Sequence, residues 1–187
     1  MRILLHTCCG PCSTYVAKAL HESGHDVTGY FYNPNIHPYT EYLKRKENAE
    51  KWAQAAGVPL LVDSGYDVAA WMGEVYKDLP NRCEGCYRSR LDPAAKIAKQ
   101  QSFDAFTTTL LISPYQQHEK IRQVGEEVAE AMHIPFFYED FRPHFNETYG
   151  LSREYDLYRQ HYCGCVFSEY ERAQEREQKA KKRAQST

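Results

Sequence analysis

Over the first 65 residues, apolar runs of strand length alternate with segments of helical periodicity, and that alternation limits the architectures open to the chain. Residues 2–7 (Arg-Ile-Leu-Leu-His-Thr) read as a short buried strand. From Ser13 the pattern turns helical, with Val16, Ala17, Leu20 and His21 on one face until Gly24 stops it. Val27 to Tyr32 is a second strand, followed by a turn at Asn33-Pro34-Asn35. A long helix then runs from about Pro38 to Ala56 and ends at Gly57, and Pro59 to Val62 is a third short strand. A β-α-β-α-β order requires parallel strands joined by right-handed crossovers. The expected fold class is therefore α/β, with a doubly wound, mostly parallel sheet.

Beyond residue 65, helices near Val68–Asp78 and Ser89–Gln101 flank Cys83 and Cys86. Ala105–Ile112 reads as a central strand, Gln117–His133 as an amphipathic helix and Pro135–Tyr138 as a fifth strand. After Asp140 the chain reads as irregular until Glu154–His161. Residues 168–187 form a charged C-terminal helix or tail, and nothing resembles a repeat or a linker. The 187 residues suit one α/β domain spanning 1–187. A content of 42% hydrophobic and 26% charged residues excludes disorder and collagen-like repeats. No apolar run nears the ~18 residues needed to cross a bilayer. The N-terminus has three consecutive apolar residues before His6 and does not read as a signal peptide, so the expected setting is cytoplasmic, with no membrane partner. A net charge of −2 argues against binding nucleic acid by bulk charge and leaves a local basic face open.

Seven cysteines fall in three tight groups: Cys8-Cys9-x-x-Cys12, Cys83-x-x-Cys86 and Cys163-x-Cys165. Secreted disulfide scaffolds usually carry an even number, spread out, so odd and clustered thiols point to metal or redox chemistry in a reducing compartment. The first group lies at the end of strand one, where ligands of open α/β sheets bind and where a helix N-terminus favours thiolate. Ser113-Pro114-Tyr115 and Glu139-Asp140 would leave the same edge. Three readings follow. Cys9-Gly10-Pro11-Cys12 matches a thioredoxin-type tetrapeptide, but thiol–disulfide exchange leaves five cysteines without a role. Cys83, Cys86, Cys163 and Cys165 could close a structural zinc site, which leaves the first group unexplained. All three groups at one pocket would suit an iron–sulfur cluster with a second metal beside it. Neither a Gly-x-Gly-x-x-Gly nor a phosphate-binding Gly-x-x-x-x-Gly-Lys-Ser/Thr motif is present.

Taken together, His6-Thr7-Cys8-Cys9-Gly10-Pro11-Cys12-Ser13, Cys83-Glu84-Gly85-Cys86-Tyr87-Arg88-Ser89-Arg90-Leu91, Ser113-Pro114-Tyr115-Gln116 and Cys163-Gly164-Cys165 resemble the QueH-type epoxyqueuosine reductases over roughly residues 2–170. The resemblance implies reduction of epoxyqueuosine to queuosine at the wobble position of tRNA, and a fold like the nucleotide-binding PP-loop class. It further implies a [4Fe–4S] cluster and an adjacent second metal ion, iron, with an electron donor not identified by the sequence. Cys8, Cys9, Cys83, Cys86, Cys163 and Cys165 carry over as cluster-binding residues, with Cys12 added for the metals. If Cys12 stands where other members carry aspartate, the second metal's ligands are all sulfur. Removing an epoxide oxygen takes two electrons and two protons, and the candidate proton donors are Tyr87, His6 and Asp140. An anticodon loop calls for aromatic stacking and scattered basic contacts. Candidates are Tyr30, Phe31, Tyr32, Tyr39, Tyr42, Tyr115 and Tyr149, with Lys44-Arg45-Lys46, Arg88, Arg90 and the basic tail for phosphates.

Overall fold

In the computed structural model, which describes residues 1–63 and 65–185, four strands pair in the order β3-β2-β1-β4, all parallel. They are β1 (Arg2–His6), β2 (Asp26–Phe31), β3 (Leu60–Val62) and β4 (Ala105–Thr108). Ile3, Leu4 and Leu5 are fully buried, as a strand covered on both faces must be, and β1 takes the centre. Leu5 stands opposite Gly29 of β2 on one side and Thr107 of β4 on the other. The chain moves from β1 outward to β3 and then returns to the opposite flank for β4. The gap beyond the ends of β1 and β4 is thus the topological switch point, where α/β sheets bind ligands.

Helices α1 (Gly10–Glu22) and α2 (Tyr39–Ala56) pack together, and α3 (Val68–Tyr76), α4 (Arg82–Gln100) and α5 (His118–Met132) form a second group around α4. Two further helices, α6 (Glu147–Glu154) and α7 (Val166–Gln185), complete the chain, with α6 against α1. The main core joins Leu4, Val16, Leu20, Trp52, Leu91, Phe106, Leu111 and Val124 across the sheet. No helix among the described residues is long and apolar enough to cross a membrane.

Several expected boundaries move. The expected strand over Ala105–Ile112 ends at Thr108. The Thr108 hydroxyl accepts the Leu110 N–H at 3.1 Å and turns residues 109–112 into a short 3-10 turn. The fifth strand is reduced to one parallel bridge between Phe106 and Phe136. Helix α1 begins at Gly10 rather than Ser13, and α4 begins at Arg82 rather than Ser89, so Cys83 and Cys86 are helical instead of flanked by helices. Regular structure after Asp140 comes early, in α6, and the irregular stretch is 155–165. The C-terminal segment is helical through 185, and residues 186–187 of the expected tail lie outside the described residues.

Candidate metal centre

Cys8 and Cys9 occupy the crossing from β1 into α1, with Cys9 at the N-cap position. Pro11 suits this first turn, where a missing N–H costs no hydrogen bond. Cys12 follows one turn later, and the Sγ atoms of Cys8, Cys9 and Cys12 lie within 4.8 Å of one another. The Cys8 N–H donates to Thr109 Oγ1 at 2.9 Å, which fixes the group at the switch point.

Cys163 and Cys165 reach the same place from the irregular stretch before α7. Arg45 of α2 holds that stretch by donating to the carbonyls of Cys163 at 2.9 Å and Tyr162 at 3.2 Å, while pairing with Glu41 at 2.7 Å. Cys8, Cys12, Cys83, Cys86, Cys163 and Cys165 all line one cavity of about 730 Å³, a size typical of ligand sites. Cys9 is buried beside Cys8, their Sγ atoms 3.7 Å apart. All seven are free thiols.

The donor set fits a thiophilic metal group. Sulfurs in a tetrahedron at ~2.3 Å from a metal stand about 3.8 Å apart. The Cys8–Cys9 and Cys163–Cys165 pairs are already 3.7 and 3.8 Å apart. Without metal, the first and third groups share protons internally. Hydrogen bonds from Cys12 and Cys8 hold the Cys9 thiol well below its ordinary value, while Cys12 is pushed up by Cys8 and Cys9. Donation from Cys165 brings Cys163 down to about 5, and Cys165 rises in turn because of Cys163. Burial raises Cys83 and Cys86. A metal would displace these shared protons. Two buried polar atoms on the cavity wall also lack partners among the described residues: Arg82 Nε and Gln160 Oε1. Trp71 packs against Cys86 and Cys165, and Gln160 donates through Nε2 to Cys9 Sγ at 2.8 Å.

The three candidate proton donors separate. Tyr87 lines the cavity; its hydroxyl donates to Gln116 Oε1 at 2.9 Å and accepts the Gln117 N–H at 3.1 Å. Burial pushes its phenol pKa up, so it keeps its proton at neutral pH. His6 is fully buried beneath the site, with Nδ1 2.9 Å from Thr108 Oγ1 and Nε2 3.2 Å from the Tyr32 carbonyl. Asp140 pairs with Arg142 at 2.6 Å, and hydrogen bonds from Arg142 hold its carboxyl at about 2; neither it nor His6 is part of the cavity wall. Among the expected RNA contacts, Tyr115, Tyr149, Arg45 and Arg90 line the cavity, whereas Tyr30, Phe31, Tyr32, Tyr39, Tyr42, Lys44, Lys46 and Arg88 do not. Sequence reading missed Trp71 and Gln160, because their approach to the cysteines depends on contacts across the whole fold.

The family profile Epoxyqueuosine reductase QueH matches residues 3–171. An epoxyqueuosine reductase QueH of Dehalococcoides mccartyi is 37% identical over 171 residues, covering 91% of this chain and 94% of its own. The protein of that name from Thermotoga maritima is 35% identical over 190 residues, covering 97% of both chains. Among solved structures, a predicted tRNA methyltransferase subunit from Methanocaldococcus jannaschii superposes with a TM-score of 0.58 at 12% identity, over 82% of this chain and 75% of that one. That likeness concerns the α/β fold alone.

Proposed function

The chain belongs to the epoxyqueuosine reductase QueH family, and from that membership we propose that it reduces epoxyqueuosine to queuosine in cytoplasmic tRNA. The observation that carries the reading is the convergence of three distant cysteine groups on one cavity at the switch point of the sheet. The reaction takes two electrons, delivered one at a time from an external low-potential electron donor, and two protons; it releases the epoxide oxygen as water and leaves an alkene. Cys8, Cys9, Cys12, Cys83, Cys86, Cys163 and Cys165 hold a [4Fe–4S] cluster and an adjacent iron, which when bound supply single electrons and a Lewis acid.

The chain's own residues do the remaining work. Tyr87, protonated and on the cavity wall, is the proton donor, with Gln116 fixing the direction of its hydroxyl. His6 is neutral, since burial lowers its pKa to about 3, and it braces β1 against β4 below the cysteines. Trp71, Leu110 and Phe145 give the wall its apolar share.

Metal and sulfide analysis on protein purified without oxygen, followed by turnover of epoxyqueuosine-containing tRNA with dithionite as the electron source, tests the reading. The expected protein is brown, with about four irons and matching sulfide plus extra iron, and it releases queuosine-containing tRNA. Colourless protein with one zinc, no sulfide and no recovery on anaerobic reconstitution would overturn the cluster assignment in favour of structural zinc.

A further inference from the structure

Around the cysteine cavity runs a ladder of aromatic rings and arginines. Tyr115 is 69% exposed, and its ring meets Phe145 edge-on with centroids 5.8 Å apart. Phe145 meets Tyr149, 43% exposed, in the same manner at 5.7 Å. Arg172 of α7 lies over the Tyr115 ring at 5.1 Å, and Arg159 over the Tyr149 ring at 3.8 Å. Arg159 is itself held by the Thr148 carbonyl and Ser152 Oγ, each at 2.9 Å. All five side chains line the cavity that the cysteines line. Core packing does not account for exposed rings held in place from four separate segments.

Charge on this wall departs from the charge of the chain. The protein carries a net −2, yet among the described residues the wall has seven arginines and lysines and two acids, Glu171 and Glu175. Both acids are already paired, Glu175 with Arg172 and Glu171 with Arg82. Arg172, Arg176 and Lys179 fall at i, i+4 and i+7, so they share one face of α7 over ~10 Å. Arg176 and Lys179 have no ion-pair partner among the described residues.

We propose that this rim is a docking site for the single-stranded RNA flanking the modified nucleotide, with Tyr115 and Tyr149 stacking on unpaired bases and Arg176 and Lys179 receiving phosphates. The proposal rests on the reductase reading, in which one nucleotide enters the cavity and its neighbours remain at the mouth. Its chemistry is that of single-strand binding elsewhere: every base has a π-face to stack, and every linkage brings a negative charge. An acidic peptide would engage the cations and leave the rings in water.

The test uses the full chain, purified without oxygen, with dithionite as the reductant and an epoxyqueuosine-containing anticodon stem-loop that carries 2-aminopurine next to the modified position. Fluorescence is expected to be quenched on binding, as stacking requires. Tyr115→Ala and Tyr149→Ala each weaken binding about tenfold and raise KM with kcat nearly unchanged, while Tyr115→Phe keeps wild-type affinity. The double variant Arg176→Gln/Lys179→Gln lowers the slope of log affinity against log salt by about 1.4, the value for two phosphate contacts on a single strand. Wild-type protein that reduces the RNA while both alanine variants bind equally well would overturn the docking site and leave the reductase standing. Wild-type protein that neither binds nor reduces it would overturn both.

Discussion

Arg90 Nη2 lies 3.4 Å from Cys86 Sγ, and Arg90 Nε donates to the Cys86 carbonyl at 3.0 Å. The guanidinium is 3% exposed and has no carboxylate within ion-pair distance among the described residues. A buried cation costs several kcal/mol unless something offsets it, and here it faces the Cys86 carbonyl and sulfur in place of a carboxylate. As thiolates, the form in which they would bind metal, Cys86, Cys163 and Cys8, one from each cysteine group, all favour its charge. Arg90 is thus a fixed positive charge at the meeting point of the thiols. On the proposed reading, each electron added to the centre is stabilised by it. Arg90→Met should lower the midpoint potential by on the order of 100 mV, and Arg90→Lys should recover part of the loss. A redox titration at unchanged iron content checks this, and an unmoved potential would exclude the role.

Tyr87→Phe removes only the hydroxyl that donates to Gln116 and leaves the buried ring in place. Iron and sulfide content should be unchanged, and kcat should fall about a hundredfold or more, the usual share of a positioned proton donor. The corresponding changes His6→Ala and Asp140→Asn should leave kcat within a few fold wherever the protein stays folded, since neither side chain reaches the cavity. Single-turnover rates on modified tRNA separate the three. Equal rates for Tyr87→Phe and wild type would return the proton to water.

The parts of this fold that were legible in sequence are those in which apolar residues carry the pattern. The run Ile3-Leu4-Leu5 announces a central strand because both its faces are buried. Helix α6 escapes such a reading because its buried positions are Thr148 and Ser152, satisfied by the Phe145 and Thr148 carbonyls and by Arg159. The start of α4 escapes it because Cys83, Glu84 and Gly85 offer no apolar stripe. A hydroxyl shortens β4, since Thr108 turns its own chain. Each cysteine group was visible as a motif. Their convergence was not, because it depends on Arg45 reaching carbonyls more than a hundred residues away.

Gly10 owes its place in the first cysteine motif to packing. A Cβ there would stand 2.6 Å from the Asn48 carbonyl oxygen of α2, a backbone atom that cannot step aside. Gly10→Ala should therefore destabilise the protein by about 1–3 kcal/mol in urea unfolding. Gly73 in α3 provides the contrast, since nothing lies within 4 Å of its added Cβ. Gly73→Ala should stabilise by roughly 0.5–1 kcal/mol through helix propensity alone. The same sign for both substitutions would mean that α1 and α2 do not approach this closely.

His6 makes stability depend on pH in a direction set by its hydrogen bonds. The Tyr32 carbonyl can only accept, so Nε2 carries the proton, and Nδ1 accepts from the Thr108 hydroxyl, which in turn accepts from the Leu110 N–H. No place remains for a second ring proton, and burial, with Arg90 adding to it, lowers the pKa from 6.5 to about 3. Above pH 6.5 the ring is neutral in both folded and unfolded chains, and its full contribution is present. As pH falls below 6.5 the unfolded chain takes up a proton that the folded one refuses. Stability is then lost by up to about 1.4 kcal/mol per pH unit until the folded value is reached. His37 and His118 shift in the same direction, so the informative quantity is a difference between proteins. Between pH 6.5 and 4.5, His6→Gln should lose about 2–3 kcal/mol less than wild type in chemical unfolding. Parallel pH profiles would mean that His6 accepts a proton in the folded chain, and with it that β1 and β4 can part beneath the cysteines.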